Sequence, residues 1–181
     1  MKKYELTDDT ITVEGRTLHR IKALKSFSNV EEGELGGYVE KEDNLDQRGD
    51  AWVYGDARVY GNAQVSGDAW VYGDARVSGD AQVSGDAWVY GDARVYENAW
   101  VYGNARVSGE NDYTTAKGFG REYRTTTFFR LQDGGIGVRC GCFYGTLDEF
   151  RAKVKETHKE SKMGKEYLML ADLMEYKFKD A

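Results

Sequence analysis

The sequence predicts a mainly β protein built around a parallel β-helix of about four turns, each 18 residues long. Two observations predict this fold: ten consecutive six-residue repeats run without an insertion over residues 49–108, and a longer period of three repeats is superimposed on them. The composition changes on both sides of the repeats. We therefore expect an N-terminal β-hairpin cap over residues 1–36, the β-helix over 37–109, and a small α+β domain over 110–181.

Each six-residue repeat, or hexad, has the same layout. Ala stands at its third place and Val at its fifth, and Trp, Arg or Gln stands between them. Because successive side chains of a strand point to opposite faces, Ala and Val share one face. Nearly every hexad begins with Gly-Asp or Gly-Asn, which predicts a turn because these residues tolerate positive φ. The small Ala beside Val suits a narrow core that larger side chains would overfill.

The longer period sets the number of hexads in a turn. Trp52, Trp70 and Trp88 recur at every third hexad, and two other sets recur in the same way: Arg58, Arg76 and Arg94, then Gln64, Gln82 and Trp100. Three hexads therefore form one turn of a triangular prism, and successive turns stack at about 4.8 Å. The register extends back to residue 37, which predicts twelve hexads over 37–108 and four turns.

This pattern resembles the hexapeptide-repeat family, whose fold is a left-handed parallel β-helix. The left hand follows from the resemblance alone, since general crossover rules favour the right hand. The segments ELGGYV (34–39) and CGCFYGTLDEF (140–150) are similar to uncharacterised hexapeptide proteins of bacteriophages and prophages. The resemblance implies a phage or prophage accessory protein that binds a host component, such as a host defence factor, in the host cytoplasm. It implies no established chemistry.

The two ends carry signals of their own. Residues 10–21 alternate apolar and polar side chains around Glu14-Gly15, which predicts a β-hairpin that covers the first turn of the β-helix. Near the other end, residues 125–131 and 136–140 are predicted to be strands joined by a glycine turn.

Two helices and a last strand are predicted after these strands. Thr146 and Glu149 form a capping box, so we expect a helix to begin there, with Leu147, Phe150 and Val154 facing inward. A second helix is predicted over 165–174, and a short final strand over 176–178.

Composition and charge exclude several classes of function. The chain has 31 acidic and 25 basic side chains and a net charge of −6, so nucleic acid is not expected as the main partner. Residues 49–109 hold eight acids and four arginines (net −4), and residues 110–181 hold twelve acids and thirteen bases (net +1).

No apolar run approaches the length of a membrane span, and the start MKKYE has no apolar signal segment. With only two cysteines, a reducing cytoplasmic compartment is expected.

No catalytic residue is predicted. Many hexapeptide proteins are acyltransferases that use CoA and a histidine base, but the repeats contain no histidine. His19 and His158 are expected on the surface, and two histidines are too few for a three-histidine zinc site. An acyltransferase remains the alternative enzyme hypothesis. No cofactor is expected.

Two polar patterns are given structural interpretations, so no metal site is predicted. Cys140 and Cys142 lack further ligands, and we expect two core thiols rather than a reactive pair. Two rows of carboxylates mark successive corners, and they consist of Asp50, Asp68 and Asp86, then Asp56, Asp74 and Asp92. Asn substitutes for Asp in other hexads, so turn formation is favoured over cation binding.

The candidate interface lies on the outward positions of the repeats. Six aromatic residues are predicted to point outward on one face: Trp52, Tyr54, Trp70, Tyr72, Trp88 and Tyr90. If half exposed, they form a patch of roughly 450–750 Å², large for a monomer. Arg58, Arg76, Arg94 and Trp100 complete the candidate residues.

The function predicted from these observations is non-enzymatic. A second copy of the chain is the first choice of partner for the aromatic patch, as a trimer or alternatively a dimer. A host protein is the second choice. A sugar or nucleotide base is the third, and it includes a ligand sponge that holds a nucleotide between the aromatics and the arginines.

Overall fold

The hexads form short parallel strands at the predicted places. The computed structural model describes residues 2–179. Ten two-residue strands, β4 to β13, follow one another in the repeats. They are Trp52–Val53, Arg58–Val59, Gln64–Val65, Trp70–Val71, Arg76–Val77, Gln82–Val83, Trp88–Val89, Arg94–Val95, Trp100–Val101 and Arg106–Val107.

These strands stack into three parallel sheets, which are the three sides of the predicted prism. One contains β4, β7, β10 and β13, one contains β6, β9 and β12, and one contains β5, β8 and β11. Partners lie one full turn of three hexads apart along the chain, as in Trp52 with Trp70 and Arg58 with Arg76. Backbone amides donate from one turn to the next, for example from Trp52 N to Ala69 O at 3.0 Å. The predicted β-helix of about four turns is confirmed.

The first turn departs from the predicted register. Val39 pairs with Val59, and Leu45 pairs with Val65. The partners are therefore 20 residues apart along the chain, whereas three hexads would separate them by 18 residues. The two extra residues are accommodated between Leu45 and the first regular hexad, next to a 3-10 helix at Glu42–Asn44. The prediction of twelve uninterrupted hexads from residue 37 is therefore wrong at this point.

The axis of the prism is filled by Ala and Val. Every Ala and Val at the third and fifth places of the hexads is at most 1% exposed. The corners turn at glycines whose φ lies between 61° and 74°. Glu97 takes the glycine place in one hexad and adopts a φ of 57°. Glycine is favoured at this place because other residues pay a steric cost in the left-handed region.

Three antiparallel strands precede the repeats. They are β1 (Tyr4–Val13), β2 (Arg16–Ala23) and β3 (Leu35–Val39), and β1 and β2 meet at the predicted Glu14-Gly15 turn. Strand β3 pairs with β5, so the hairpin continues one side of the prism. The Tyr4 hydroxyl donates to Leu45 O at 2.7 Å and ties the hairpin to the first turn.

A four-stranded antiparallel sheet and two helices follow the repeats. The sheet order is β14 (Tyr113–Phe119), β15 (Arg124–Arg130), β16 (Ile136–Cys140) and β17 (Phe143–Thr146). Helix α1 spans Leu147–His158 and helix α2 spans Lys162–Lys177. The capping box is formed as predicted, because the Thr146 side chain accepts from Glu149 N and the Glu149 side chain accepts from Thr146 N.

The expected final strand over 176–178 is wrong. Tyr176 and Lys177 belong to α2, and Phe178 follows as its C-cap residue. Leu170, Met174 and Phe178 stand at every fourth position and are all buried, so the helical period continues through the segment.

The terminal sheet closes the far end of the prism. Trp100 N donates to Thr127 Oγ1 at 2.9 Å, and Gln132 N donates to Asn104 O at 3.1 Å. Both ends of the β-helix are thus covered, which protects strand edges that would otherwise pair with other chains.

Candidate binding surface

Trp52 corrects the prediction of six outward aromatic residues. Its side chain is 0% exposed, and its ring meets the rings of Tyr4 and Phe27 edge-on at centroid distances of 6.2 and 5.4 Å. The N-terminal segment folds back over the first turn. The position is outward with respect to the prism axis, as predicted, but the cap covers it.

Five aromatic residues remain on this side of the prism, and we call them the aromatic face: Tyr54, Trp70, Tyr72, Trp88 and Tyr90. Tyr54 is 45% and Trp88 40% exposed, and the other three are partly buried. The Tyr72 ring stacks on Tyr90 at 5.2 Å with an interplanar angle of 8°. Burial and the nearby Tyr90 hydroxyl raise the pKa of Tyr72 above its usual value. With Trp52 covered, the patch is smaller than the sequence suggests.

The aromatic face borders a shallow concavity of about 350 Å³. Its floor is formed by four members of the face, and its wall by Ser28 and Asn29 from the loop of the cap. Ser28 has a φ of 45°, in the region that only a few non-glycine residues adopt. The cap therefore shapes one edge of the aromatic face as well as covering Trp52.

Arg106 covers part of Trp88. It is not among the interface residues predicted from the sequence. The Arg106 guanidinium carbon lies 4.3 Å from the centroid of the Trp88 ring. Its Nη1 donates to Asp86 O at 2.9 Å, and its Nη2 donates to Gln132 Oε1 at 3.1 Å. The period of three hexads identifies it, because Arg106 occupies the tryptophan place one turn beyond Trp88.

The three predicted arginines form a ladder on a different sheet. Arg58, Arg76 and Arg94 pair in register on the side that β3 extends, and we call them the arginine ladder. None of the three forms an ion pair with residues 2–179. The structure does not bring them together with the aromatic face, and no arginine of the ladder lines its concavity. The concavity at the aromatic face is therefore lined without any contribution from this ladder.

Trp100 lies on the third sheet, against the terminal domain. The guanidinium carbon of Arg139 lies 4.7 Å from the Trp100 ring centroid and 5.4 Å from that of Tyr102. Trp100 is partly buried and separate from the aromatic face.

The histidines lie far apart in the fold. His19 is on β2, with Nδ1 3.0 Å from Thr7 O, and His158 ends α1 with its ring 5.8 Å from that of Tyr167. Both are partly buried, and neither contributes to the aromatic face.

The expectation of two buried core thiols is wrong. Cys140 ends β16 and is half-buried, where the Thr126 hydroxyl donates to its sulfur at 3.2 Å. Cys142 is exposed in the turn before β17. The turn separates the two residues, so they do not share the face of one strand.

The carboxylate rows take part in contacts between turns. Asp50 N donates to the carboxylate of Asp68, one turn farther along the chain, at 3.1 Å. The corner itself is closed by backbone groups, as where Ala57 N donates to Tyr54 O at 3.3 Å. Within residues 2–179, no group of three or more His, Cys, Asp or Glu side chains is arranged to hold a metal ion. In the same part of the chain, neither helix has the length and apolar character of a membrane span.

Comparison with known proteins identifies the repeat. Five overlapping segments match the family model described as the YdcK beta solenoid repeat, at residues 51–67, 63–79, 69–85, 81–97 and 87–103. Together they cover residues 51–103, less than a third of the chain, and leave both ends outside the match. No curated protein matches the chain. The chain is thus a repeat β-helix protein whose central turns are similar to the YdcK beta solenoid repeat.

Proposed function

We propose that the protein is a non-enzymatic binding and assembly module that associates with further copies of itself. The observation that carries this proposal is the aromatic face, because Trp88 and Tyr54 keep 40% and 45% of their surfaces exposed on one side of the prism. Tryptophan and tyrosine are the residues in which binding energy concentrates at protein interfaces. The stacking of Tyr72 on Tyr90 orients the rings without hiding them.

The charge around the aromatic face favours a basic partner surface. Carboxylates stand at the corners on both borders of the face, in the rows that begin at Asp50 and Asp56. Two aromatic faces packed against each other would bring these rows together, and like charges at close range are unfavourable. The arginine ladder has the complementary charge.

The arginine ladder also has the matching spacing. Its members recur at every third hexad, as do the tryptophans of the aromatic face, so both ladders repeat at about 4.8 Å along the prism. Packing the ladder of one copy onto the aromatic face of the next would bring its three guanidinium groups against rings that repeat at the same spacing. It would also bring the carboxylate rows of one copy near stacked arginines that form no ion pair with residues 2–179 of their own chain.

The chain itself contains two contacts of this type. Arg106 lies over Trp88, and Arg139 lies over Trp100. Cation–π contacts contribute about 0.5–2 kcal/mol each. These intramolecular pairs support arginine as the residue that covers the remaining rings between copies.

This contact joins two different faces, so it is heterologous. Heterologous contacts form a closed ring when the rotation between copies closes. The hexapeptide-repeat resemblance implies a trimer, and a dimer is the alternative. The resemblance to phage hexapeptide proteins supports the finer proposal that the assembly acts in the host cytoplasm and binds a host protein.

The assembly is tested by converting one hexad into another that the chain already contains. Trp70→Gln with Tyr72→Ser changes GDAWVY into GDAQVS, the sequence of residues 79–84, which folds at an equivalent place in the prism. Light scattering at tens of micromolar should give a trimer for the wild type and a smaller species for the double variant. Circular dichroism should stay unchanged, because the new hexad keeps Ala and Val inside.

A second variant tests the arginine side, with a matched control. Arg76→Glu should also lower the assembly state, whereas Gln82→Ala, on the third sheet, should not. A monomeric wild type would show that self-association is wrong. If Trp70→Gln with Tyr72→Ser dissociates the protein but Arg76→Glu does not, the arginine ladder is not the partner surface.

The absence of enzymatic activity is tested separately. We expect no acyl transfer from acetyl-CoA and no hydrolysis of it, because no histidine lies in the repeats. Turnover above about 1 s⁻¹, which is within the ordinary range of enzymes, would contradict the proposal if His19→Ala or His158→Ala abolished it.

A further inference from the structure

A groove separates the last turns of the β-helix from the terminal sheet. Asn98 and Trp100 line it from the prism, and Lys117, Arg124 and Arg139 from strands β14, β15 and β16. Its volume is about 460 Å³, within the range of small-molecule sites. The groove is formed where the two parts of the chain meet, so neither part contains it alone.

The groove is cationic in a chain that carries a net charge of −6. Lys117, Arg124 and Arg139 are its ionisable cations, and among the described residues no carboxylate lines it. Neither Lys117 nor Arg124 forms an ion pair with residues 2–179. In the same domain, by contrast, Arg151 pairs with three carboxylates, among them Asp172 at 2.8 Å.

The positive charge continues beyond the groove. A neighbouring concavity of about 750 Å³ shares Arg124 and adds Arg121 and Lys162. Glu122 is its acidic lining residue. Cations that converge from separate elements on one concave surface attract an anionic ligand.

Two aromatic side chains accompany the cations. Trp100 forms part of the groove wall, and the Arg139 guanidinium lies over its ring, which fixes the position of that charge. Tyr123 is 68% exposed at the tip of the turn between β14 and β15, with a φ of 47°. Tyr123 lines the groove, so its exposed ring is accessible to a ligand there.

We propose that this groove binds a nucleoside phosphate. Lys117, Arg124 and Arg139 hold the phosphate groups, since guanidinium groups donate paired hydrogen bonds to phosphate oxygens. Trp100 and Tyr123 provide the surface against which the base packs, since every base has a face that stacks on aromatic rings. The volume limits the ligand to one or two nucleotides, and the acidic β-helix disfavours a long strand. This site is independent of the aromatic face and of self-association.

The test uses the full chain and ADP as the probe. Titration calorimetry at moderate salt should show saturable binding of one ADP per chain. Arg124→Gln should weaken the affinity about tenfold or more, because it removes a charge-assisted contact. Trp100→Gln should weaken it about fivefold or more through loss of base packing. Gln already stands at the two places below Trp100 in the same column, at Gln64 and Gln82, so the fold accepts it there.

Matched controls separate this site from the other surfaces. Arg94→Gln and Trp88→Gln make the same two changes on the arginine ladder and the aromatic face, and they should leave ADP affinity unchanged. Circular dichroism checks each fold. If Trp100→Gln unfolds the protein, the ADP affinity of Arg124→Gln alone decides the test. Arg124 is exposed, so its replacement should leave the fold intact.

Three results would overturn the proposal. ADP that fails to saturate the protein at millimolar concentration shows that the groove does not bind nucleotides. Pyrophosphate binding as tightly as ADP shows a site for phosphate alone. A single-stranded oligonucleotide binding far more tightly than ADP, with loss on Arg124→Gln, shows a nucleic-acid surface instead. The assembly state of the wild type is measured independently, so failure of one proposal leaves the other standing.

Discussion

Trp52 and Trp88 occupy the same place in identical hexads, GDAWVY, and their surroundings differ completely. Trp52 is 0% exposed beneath the N-terminal cap, whereas Trp88 is 40% exposed and is touched from one side by Arg106. The repeat fixes the direction of each side chain with respect to the axis. The groups that lie against the ring differ, because Tyr4 and Phe27 of the cap cover Trp52 and Arg106 of the last hexad touches Trp88. A residue type repeated along a β-helix can therefore stabilise the fold in one turn and remain available for binding in another.

The difference has an energetic counterpart. Full burial of a large apolar side chain stabilises a protein by about 1.5–3 kcal/mol relative to exposure. Trp52 makes this contribution within the chain. At Trp88 a large part of the same surface still faces solvent, so covering it can contribute to association with another molecule.

The largest expected effect comes from the axis that both turns share. Val71→Asp places a charge without a partner among side chains that are at most 1% exposed, so it should lower the free energy of unfolding by more than about 4 kcal/mol. Denaturant unfolding followed by circular dichroism measures the change. Gln82→Ala, at an outward position, should change it by less than about 0.5 kcal/mol. Equal shifts for the two variants would mean that the inner and outer faces are assigned the wrong way round.

The next prediction compares the loss of stability when each of the two tryptophans is replaced. Trp52→Ala leaves a cavity under the cap and should cost about 3–5 kcal/mol. Trp88→Ala should cost about 1 kcal/mol or less, because the ring is half-exposed and loses mainly its contacts with Arg106 and Tyr72. Both values come from denaturant unfolding at a concentration where the protein is monomeric. Similar losses would show that the cap contributes little to the burial of Trp52.

The last expected effect is a dependence of stability on pH, and it concerns Lys3, a cap residue that contacts Ala51 beside Trp52 in the chain. Its side chain is 0% exposed, and Nζ donates to Ala51 O at 2.8 Å. Burial lowers the pKa of Lys3 to about 8, although the carboxylate of Asp46 acts in the opposite direction. The unfolded chain, with a pKa near the usual 10.5, binds more protons than the folded chain between these values. The contribution of Lys3 to stability should therefore rise by about 2 kcal/mol from pH 7 to pH 10.

The comparison with Lys3→Met isolates this contribution. The variant Lys3→Met has no titrating group at this position, so its stability should not show this increase with pH. The difference in unfolding free energy between the wild type and the variant should therefore change by about 2 kcal/mol from pH 7 to pH 10. Other groups, such as tyrosines, titrate in both proteins and cancel in the difference. Parallel pH profiles for the two proteins would show that Lys3 keeps an ordinary pKa.

Local and periodic features were predictable from the sequence. The Ala–Val core, the three columns and the capping box at Thr146 depend on residues that are close in the chain or related by the period of three hexads. Arg106 is predictable from the same period. By contrast, the burial of Trp52 depends on Phe27 and Tyr4, which fold back from outside the repeats. No pattern within the hexads distinguishes Trp52 from Trp88.

The missed strands and the incorrect final strand in the C-terminal part of the chain also have physical causes. Strand β14 contains Lys117 and Gly118, and strand β17 is short, so neither has a strong alternating pattern. Residues 176–178 have the alternation of a strand, with a lysine between two aromatics, yet the helical spacing of buried residues that ends at Phe178 shows that the helix continues. The groove beside Trp100 requires residues from the prism and from three strands of the terminal sheet. A linear sequence does not place them together.

The in-register stacking of the turns constrains how a gene for such a protein can change in length. Loss of a single hexad would rotate everything downstream by a third of a turn, and the terminal sheet would meet a different side of the prism. Loss or duplication of three hexads keeps every column aligned and moves the two ends closer together or farther apart by about 4.8 Å. Replication slippage in whole units of three hexads is therefore the step by which such chains can lengthen while both ends still fit.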